Sequence, residues 1–323
     1  MNSETKLILA PIRGITDCHF RTLFHNYFPG FDSALAPFIN PQRASSFQPN
    51  QIKDLLPEAN PTLPVIPQLL HTNAKDFLFL ANRLSEFGYT EINWNLGCPA
   101  PMITKKKRGS GLLPYPDEIL AFLDQVMETL PIKLSIKTRL GLESPDELLH
   151  LLPLLNQYPL TEIIIHGRLG KQLYKGTTDQ ENVARCLQRT KHSIVYNGDI
   201  KTTEDFKNLQ TQFPEINKWM IGRGVLSDPF LAGEIKGMQQ QDKIHLLQCF
   251  HADLFACYRD LLSGQAHLLG RMKQLWVYLS IFFPPAQKTW KKIKKCTTEE
   301  KYLRITKECF STASTDLAGD RPH

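Results

Sequence analysis

The 323-residue chain has no apolar run long enough to cross a bilayer. Its longest, Leu275 to Phe283, is interrupted by a serine and falls far short of the roughly 20 residues that a spanning helix needs. The opening MNSETKLILA lacks the basic stretch before an apolar one that marks a secretory leader. Cysteine pairs are missing too: the seven cysteines are odd in number and scattered, with no C-x-x-C among them. These absences predict a soluble cytoplasmic protein without a disulfide framework, zinc finger or other metal site. Also lacking is a glycine-rich G-x-G-x-x-G turn early in the chain, which a doubly wound sheet would need to bind a dinucleotide.

What is present is an ordinary globular composition, 42% hydrophobic and 22% charged, in a length that suits two domains or one long barrel with an extension. The net charge of +6 is unevenly placed. Residues 241–323 hold 13 Lys+Arg against 8 Asp+Glu, so five of the six net positive charges lie in the last quarter. Such a field suits a polyanion such as nucleic acid, because phosphate contacts release counterions; a solvated helix face reads equally well on charge alone.

Eight short apolar runs alternate with helical stretches: LILAP (7–11), FDSALAPF (31–38), VIPQLL (65–70), EINWNLG (91–97), KLSIKTRL (133–140), EIIIHG (162–167), SIVYNG (193–198) and KWMIGRG (218–224). The clearest helical stretches between them are residues 73–88, 116–130, 144–158 and 201–213. Eight strands alternating with helices over some 220 residues predict an α/β fold, a (β/α)8 TIM barrel over residues 1–240. From Asp242 the periodicity is helical throughout and includes the basic run Lys291, Lys292, Lys294 and Lys295. This predicts a separate all-helical module, 241–323, whose last dozen or so residues, STASTDLAGDRPH, read as a frayed end.

Barrel active sites form at the C-terminal ends of the strands, and here nearly every run ends in chemistry. The ends read Pro11-Ile12-Arg13-Gly14, Gln68, Asn95-Leu96-Gly97-Cys98-Pro99, Lys137-Thr138-Arg139, His166-Gly167-Arg168, Asn197-Gly198-Asp199 and Gly222-Arg223-Gly224. A shared ligand would explain so many polar groups in apolar runs. Asn197-Gly198-Asp199 and Gly222-Arg223-Gly224, after the last two strands, favour a phosphate or the tail of a flavin mononucleotide over plain turns. Lys137 reads either as an inward electrostatic partner for an anionic cofactor ring or as a salt bridge at the barrel mouth. His166 reads as functional or as a satisfied core histidine. Cys98, in a glycine–proline loop, is the distinctive thiol, and spacing leaves open whether it is a nucleophile or a proton donor. The remaining cysteines lie in helical patterns or, for Cys296, just after the lysine run, and read as packing residues.

Together, LAPIRGITD, NWNLGCPAP, SIKTRLG, IIHGR, YNGDI and IGRG resemble the tRNA-dihydrouridine synthase family over nearly the whole chain. GQAHLLGRMKQLWVYL (264–279) further resembles the branch that modifies U16 of the tRNA D-loop. The resemblance implies a flavin-binding barrel with a helical tRNA-binding domain, using FMN as cofactor and NADPH as reductant to turn a uridine, U16 in that branch, into 5,6-dihydrouridine. It implies that Pro11, Ile12 and Arg13 border the flavin, that Gln68 and Lys137 bond its ring, and that Asn197, Gly198, Asp199, Gly222 and Arg223 hold the phosphate end with His166 nearby. It further implies that Asn95 bonds the uracil, that Cys98 donates a proton to C5 while hydride from flavin N5 reaches C6, and that Tyr174, Arg271 and Lys273 contact the RNA. Ile12 stands where the family has methionine, Asn93 where aspartate is common, and Asn40 where the U16 branch often has arginine. A monomer is expected. The rival readings are a flavin-free barrel in which Lys137 forms a Schiff base, and a non-catalytic RNA-binding protein that has kept the fold.

Overall fold

A computed structural model describes residues 4–40 and 49–319. Its centre is a cylinder of parallel strands, β1 (Lys6–Leu9), β2 (Ser33–Leu35), β3 (Val65–Ile66), β4 (Gln68–Leu69), β5 (Glu91–Leu96), β6 (Lys133–Gly141), β7 (Ile163–Leu169), β8 (Ile194–Asn197) and β9 (Lys218–Ile221). Each of the eight predicted runs supplies strand, and the third supplies two because Pro67 has no N–H to give the ladder. β3 pairs with β2, and β4, one residue later, pairs with β5, so this interrupted strand joins the two ends of the sheet order β3-β2-β1-β9-β8-β7-β6-β5-β4. The predicted TIM barrel is the observed architecture.

Parallel register puts residues of like parity on one face. Inside the cylinder Ile8, Ala10, Leu35, Ile164, Val195 and Met220 form a small apolar cluster. Further along the same faces come the polar residues: Asn95 lies opposite Lys137, Arg139 opposite His166, and His166 opposite Asn197. The outward residues, among them Leu7, Ile92, Trp94, Ile136 and Ile165, join the main core under the helices, where Trp94 stacks on Phe122 with ring centroids 4.2 Å apart.

The surrounding helices are α1 (Cys18–Tyr27), α2 (Ala74–Glu86), α3 (Pro101–Thr104), α4 (Pro116–Met127), α5 (Asp146–Leu155), α6 (Gln180–Leu187), α7 (Thr203–Gln212), α8 (Arg223–Ser227) and α9 (Leu231–Ile235). Their starts follow from local chemistry. Asp17, Asn73 and Asp179 cap α1, α2 and α6 through side-chain oxygens, Thr202 and Asp205 form a capping box on α7, and proline opens α3 and α4.

The C-terminal region is helical, with α10 (Lys243–Leu261), α11 (Gln265–Leu279), α12 (Ala286–Lys294) and α13 (Glu299–Gly319). Of the segment expected to fray, residues 311–319 have helical backbone, and the last four lie outside the described residues. Phe250 of α10 packs against Phe20, Phe24 and Phe28, with centroids 5.0–5.9 Å apart, so barrel and helices share one core. A polar clamp reinforces that junction. Arg271 of α11 donates to the Gly14 carbonyl at 2.7 Å and lies 3.4 Å from Asp17, while the Tyr258 hydroxyl donates to the same carboxylate at 2.9 Å. Gly14 itself sits at φ +84°, a backbone conformation that residues with a Cβ rarely adopt.

Arg271→Ala is therefore expected to lower unfolding free energy by about 1.5–3 kcal/mol, the range for a hydrogen bond to a charged group, with Arg271→Lys recovering part of it. Urea denaturation measures this, and an unchanged midpoint would remove the clamp's structural weight.

Candidate active site

At the C-terminal end of the barrel the strand ends surround a cavity of about 470 Å³, within the range of small-molecule sites. Pro11, Ile12, Arg13, Gln68, Asn95, Cys98, Lys137, His166, Tyr174, Asn197, Gly198, Asp199, Gly222 and Arg223 all line it. Fourteen of the sixteen residues singled out from the sequence are thus brought together. The other two, Arg271 and Lys273, do not line it; Arg271 holds Gly14, and the Lys273 ammonium donates to the Cys296 carbonyl.

One wall is a chain of buried amides. Ser135 Oγ donates to the Ile92 carbonyl and receives a bond from Asn93 Nδ2 at 3.0 Å. Asn93 Oδ1 accepts from Gln68 Nε2 at 2.8 Å, and Gln68 Oε1 accepts from Asn95 Nδ2 at 2.8 Å. Asn95 Oδ1 then takes the backbone N–H groups of Gly97 and Cys98 at 3.0 and 2.9 Å. This explains the asparagine at 93, since an aspartate there could not donate to Ser135. It also leaves Gln68 and Asn95 one amide hydrogen each to offer a ligand.

Cys98 hangs from the end of that chain, its carbonyl held by the Ser110 N–H and hydroxyl at 3.0 and 3.1 Å. Burial pushes its thiol pKa up, opposed by the Ala100 N–H and then by the cations of Arg139, Arg13 and Lys137. The thiol is therefore protonated at neutral pH, and a thiolate left after proton loss would face three positive charges.

The adjoining wall, from β6 onward, is cationic. Lys137 is partly buried and has no hydrogen-bonding or ion-pairing partner among the described residues; burial, then Arg139, brings its pKa down to about 7. Arg139 spends its guanidinium on the carbonyls of Gly97, Leu169 and Leu173, and burial lowers its pKa to about 10. Tyr174 lies between Arg139 and Arg223, whose guanidinium carbons stand 5.3 and 5.2 Å from its ring centre. His166 is held well below its usual pKa, by burial and then by the surrounding cations. Its Nε2 lies 3.3 Å from Nη1 of Arg168, and because arginine only donates, the imidazole is neutral with its remaining N–H on Nδ1.

At the far end, Gly198 and Asp199 take successive positive φ values of +145° and +44°. The Asp199 carboxylate is occupied by Arg168 at 2.5 Å, Arg223 at 3.3 Å and the Thr178 N–H at 3.1 Å. Its side chain positions the arginines, and what it can offer an anion is backbone. Asn197 likewise turns its amide onto the Met220 carbonyl at 2.8 Å. Sequence reasoning placed Arg168 at a strand end, in the His166-Gly167-Arg168 tripeptide, but gave it no role. It gave none to Phe38 and Tyr278 either, which also line the cavity.

In the ligand-free protein the depressed Lys137 pKa means that the folded state binds fewer protons than the unfolded one between about pH 7 and the usual lysine value of 10.5. This group's contribution to stability therefore rises with pH across that window, and its full cost is present below pH 7. Lys137→Met is expected to raise stability at pH 6 and to flatten the rise between pH 7 and 10, read by thermal unfolding. An unaltered pH slope would mean that the ammonium is not desolvated.

Residues 8–315 match the family model described as Dihydrouridine synthase (Dus). The chain is 27% identical over 314 residues to the tRNA-dihydrouridine(16) synthase of Shewanella oneidensis, an alignment covering 94% of this chain and 98% of that one. It is 27% identical over 244 residues to tRNA-dihydrouridine synthase B of Pasteurella multocida, covering 75% and 72%. In fold it is similar to morphinone reductase solved in complex with tetrahydroNAD, at a TM-score of 0.53 and 10% identity over 75% of this chain and 90% of that one. The family model spans the barrel, the cavity and most of the helical region, and the chain belongs to the dihydrouridine synthase (Dus) family.

Proposed function

We propose that this protein reduces one uridine of tRNA, U16 of the D-loop, to 5,6-dihydrouridine, with FMN as bound cofactor and NADPH as its reductant, in the cytoplasm. The observation that carries this reading is a protonated loop thiol, Cys98, at the mouth of a cavity that is also lined by Lys137, which has no hydrogen-bonding or ion-pairing partner among the described residues. The residues fit a flavin mononucleotide. Lys137 would meet the electron-rich ring, with Gln68 supplying its free amide hydrogen, His166 its Nδ1–H, and Pro11, Ile12 and Arg13 the edge. Arg223, with the backbone of Asn197 to Asp199 and of Gly222, would hold the phosphate. A Cβ at Gly222 would lie 3.2 Å from that of Ala10, a tight contact that glycine avoids.

When bound and reduced, such a flavin supplies the hydride that adds to uracil C6. The protein's part is the proton and the geometry. Asn95 offers its spare N–H to the uracil edge, Cys98 gives its proton to C5, and the resulting thiolate is stabilised by Arg13, Lys137 and Arg139. The uridine must leave its stack to enter the mouth. We assign the orientation of the tRNA to residues 241–323, through the exposed Lys291, Lys292, Lys294 and Lys295, with Arg271 and Lys273 on α11 and Tyr174 at the rim. The depressed pKa of Lys137 also suits a Schiff base, and borohydride trapping of a carbonyl substrate on Lys137 would favour that rival.

Purified protein is expected to release FMN on denaturation, and Arg223→Ala to weaken flavin retention by about 1.5–3 kcal/mol. Cys98→Ala should keep the flavin and lose about 10²–10⁴-fold in turnover on tRNA, with Cys98→Ser also poor. Normal turnover by Cys98→Ala would refute the donor role. Mapping dihydrouridine at positions 16, 17 and 20 in tRNA from a deletion strain tests the position, and persistence of the modification at 16 would overturn that assignment. Neutralising the four lysines together should weaken tRNA binding and flatten its salt dependence by about 0.9 per duplex phosphate contact.

A further inference from the structure

The segment that returns from Cys98 carries features the reaction itself does not use. Met102, on α3 four residues beyond the thiol, is 68% exposed, more than any other large hydrophobic residue described. Its neighbour Ile103 lines the cavity, so Met102 stands on the outer lip of the same mouth. Next come four consecutive cations. Lys107 is tied to Glu118 at 2.6 Å and lies over the Tyr115 ring, and Arg108 is tied to Asn40 and His71 at 3.1 and 3.2 Å. Lys105 and Lys106 are exposed and have no hydrogen-bonding or ion-pairing partner among the described residues.

The segment is anchored at its base. Besides the two bonds from Ser110 to Cys98, the Arg108 N–H donates to the Ile103 carbonyl at 3.3 Å, and Gly111 packs so tightly on Thr104 that a Cβ would lie 2.4 Å from the Thr104 carbonyl oxygen. Whatever Met102 and the two lysines touch is thereby placed relative to the thiol. Extruding a base leaves an apolar gap in the stack and a strained pair of phosphates beside it. Proteins that open stacked nucleic acid commonly fill such gaps with an apolar wedge and neutralise the phosphates with lysine or arginine.

We propose that this segment is the RNA-opening edge of the site: Met102 fills the stacking position vacated by the target uridine, while Lys105 and Lys106 bind the phosphates flanking it. The proposal rests on the reading of the protein as a tRNA uridine reductase, and it places an RNA contact on the barrel, across from the basic helical region.

The test uses the flavin-loaded full chain and unmodified tRNA. Met102→Ala is expected to lower kcat/KM for tRNA by about tenfold or more, since unstacking costs a few kcal/mol per step, with flavin content unchanged and Met102→Leu restoring most of the loss. Lys105→Ala with Lys106→Ala should weaken tRNA binding and reduce the slope of log affinity against log salt by about 1.4–1.8, for two single-stranded or duplex contacts. Wild-type turnover by Met102→Ala would overturn the wedge, and an unaltered salt slope in the double variant would overturn the phosphate contacts. Failure of the wild-type protein to reduce tRNA at all would instead overturn the underlying functional reading.

Discussion

The chain of amides from Ser135 through Asn93 and Gln68 to Asn95 is the interaction on which the rest of the site depends. Each link consumes a donor of one side chain and an acceptor of the next, and the last acceptor takes two backbone N–H groups of the Cys98 loop. Buried polar groups are costly unless satisfied, and a chain satisfied link by link holds one geometry. The barrel interior thus sets the height and direction of the thiol, which a glycine–proline loop alone would leave loose. The same chain fixes which amide hydrogens of Gln68 and Asn95 remain for a ligand.

Against that neutral wall stands a concentration of positive charge. Arg13, Lys137, Arg139 and Arg223 line the cavity, Arg168 lies just behind it, and Asp199 is the carboxylate shared by two of these arginines. Among the described residues Lys137 has no hydrogen-bonding or ion-pairing partner, so its buried amine lies where an anionic ligand group would relieve its charged form. Depressed lysine and histidine pKa values and a raised thiol pKa share burial as their leading cause; the neighbouring cations add to the lysine and histidine shifts and oppose that of the thiol. Under the proposed function the same field favours a flavin, holds Cys98 ready to give a proton, and steadies the thiolate that remains.

The helical region does more than add charge. Phe250 enters the aromatic cluster of α1, Tyr278 reaches the cavity, and Arg271 grips the carbonyl of Gly14 in the loop that carries Ile12 and Arg13. A residue expected to read RNA is thus bonded to the loop bordering the proposed flavin, and RNA docked on α11 would bear on that loop through one guanidinium.

The sequence by itself determined the barrel, because parallel strands buried on both faces read as apolar runs and their parity fixes which residues point inward. It determined most of the cavity lining for the same reason: Lys137, His166 and Asn197 are polar groups at the ends of such runs, where only a ligand or partner justifies them. The family resemblance in LAPIRGITD and NWNLGCPAP named the chemistry these groups would serve. Tertiary structure alone decided the pairings. Pro67 splits one strand without opening the ring, because β2 and β5 take its two halves. Asn93 donates to Ser135 forty-two residues away, Arg168 to Asp199, and Arg271 to Gly14 at a separation of 257 residues. Hydrogen bonds and ion pairs act over a few ångströms, and which distant residues come that close is settled by closure of the barrel and docking of the helices, which no local pattern records.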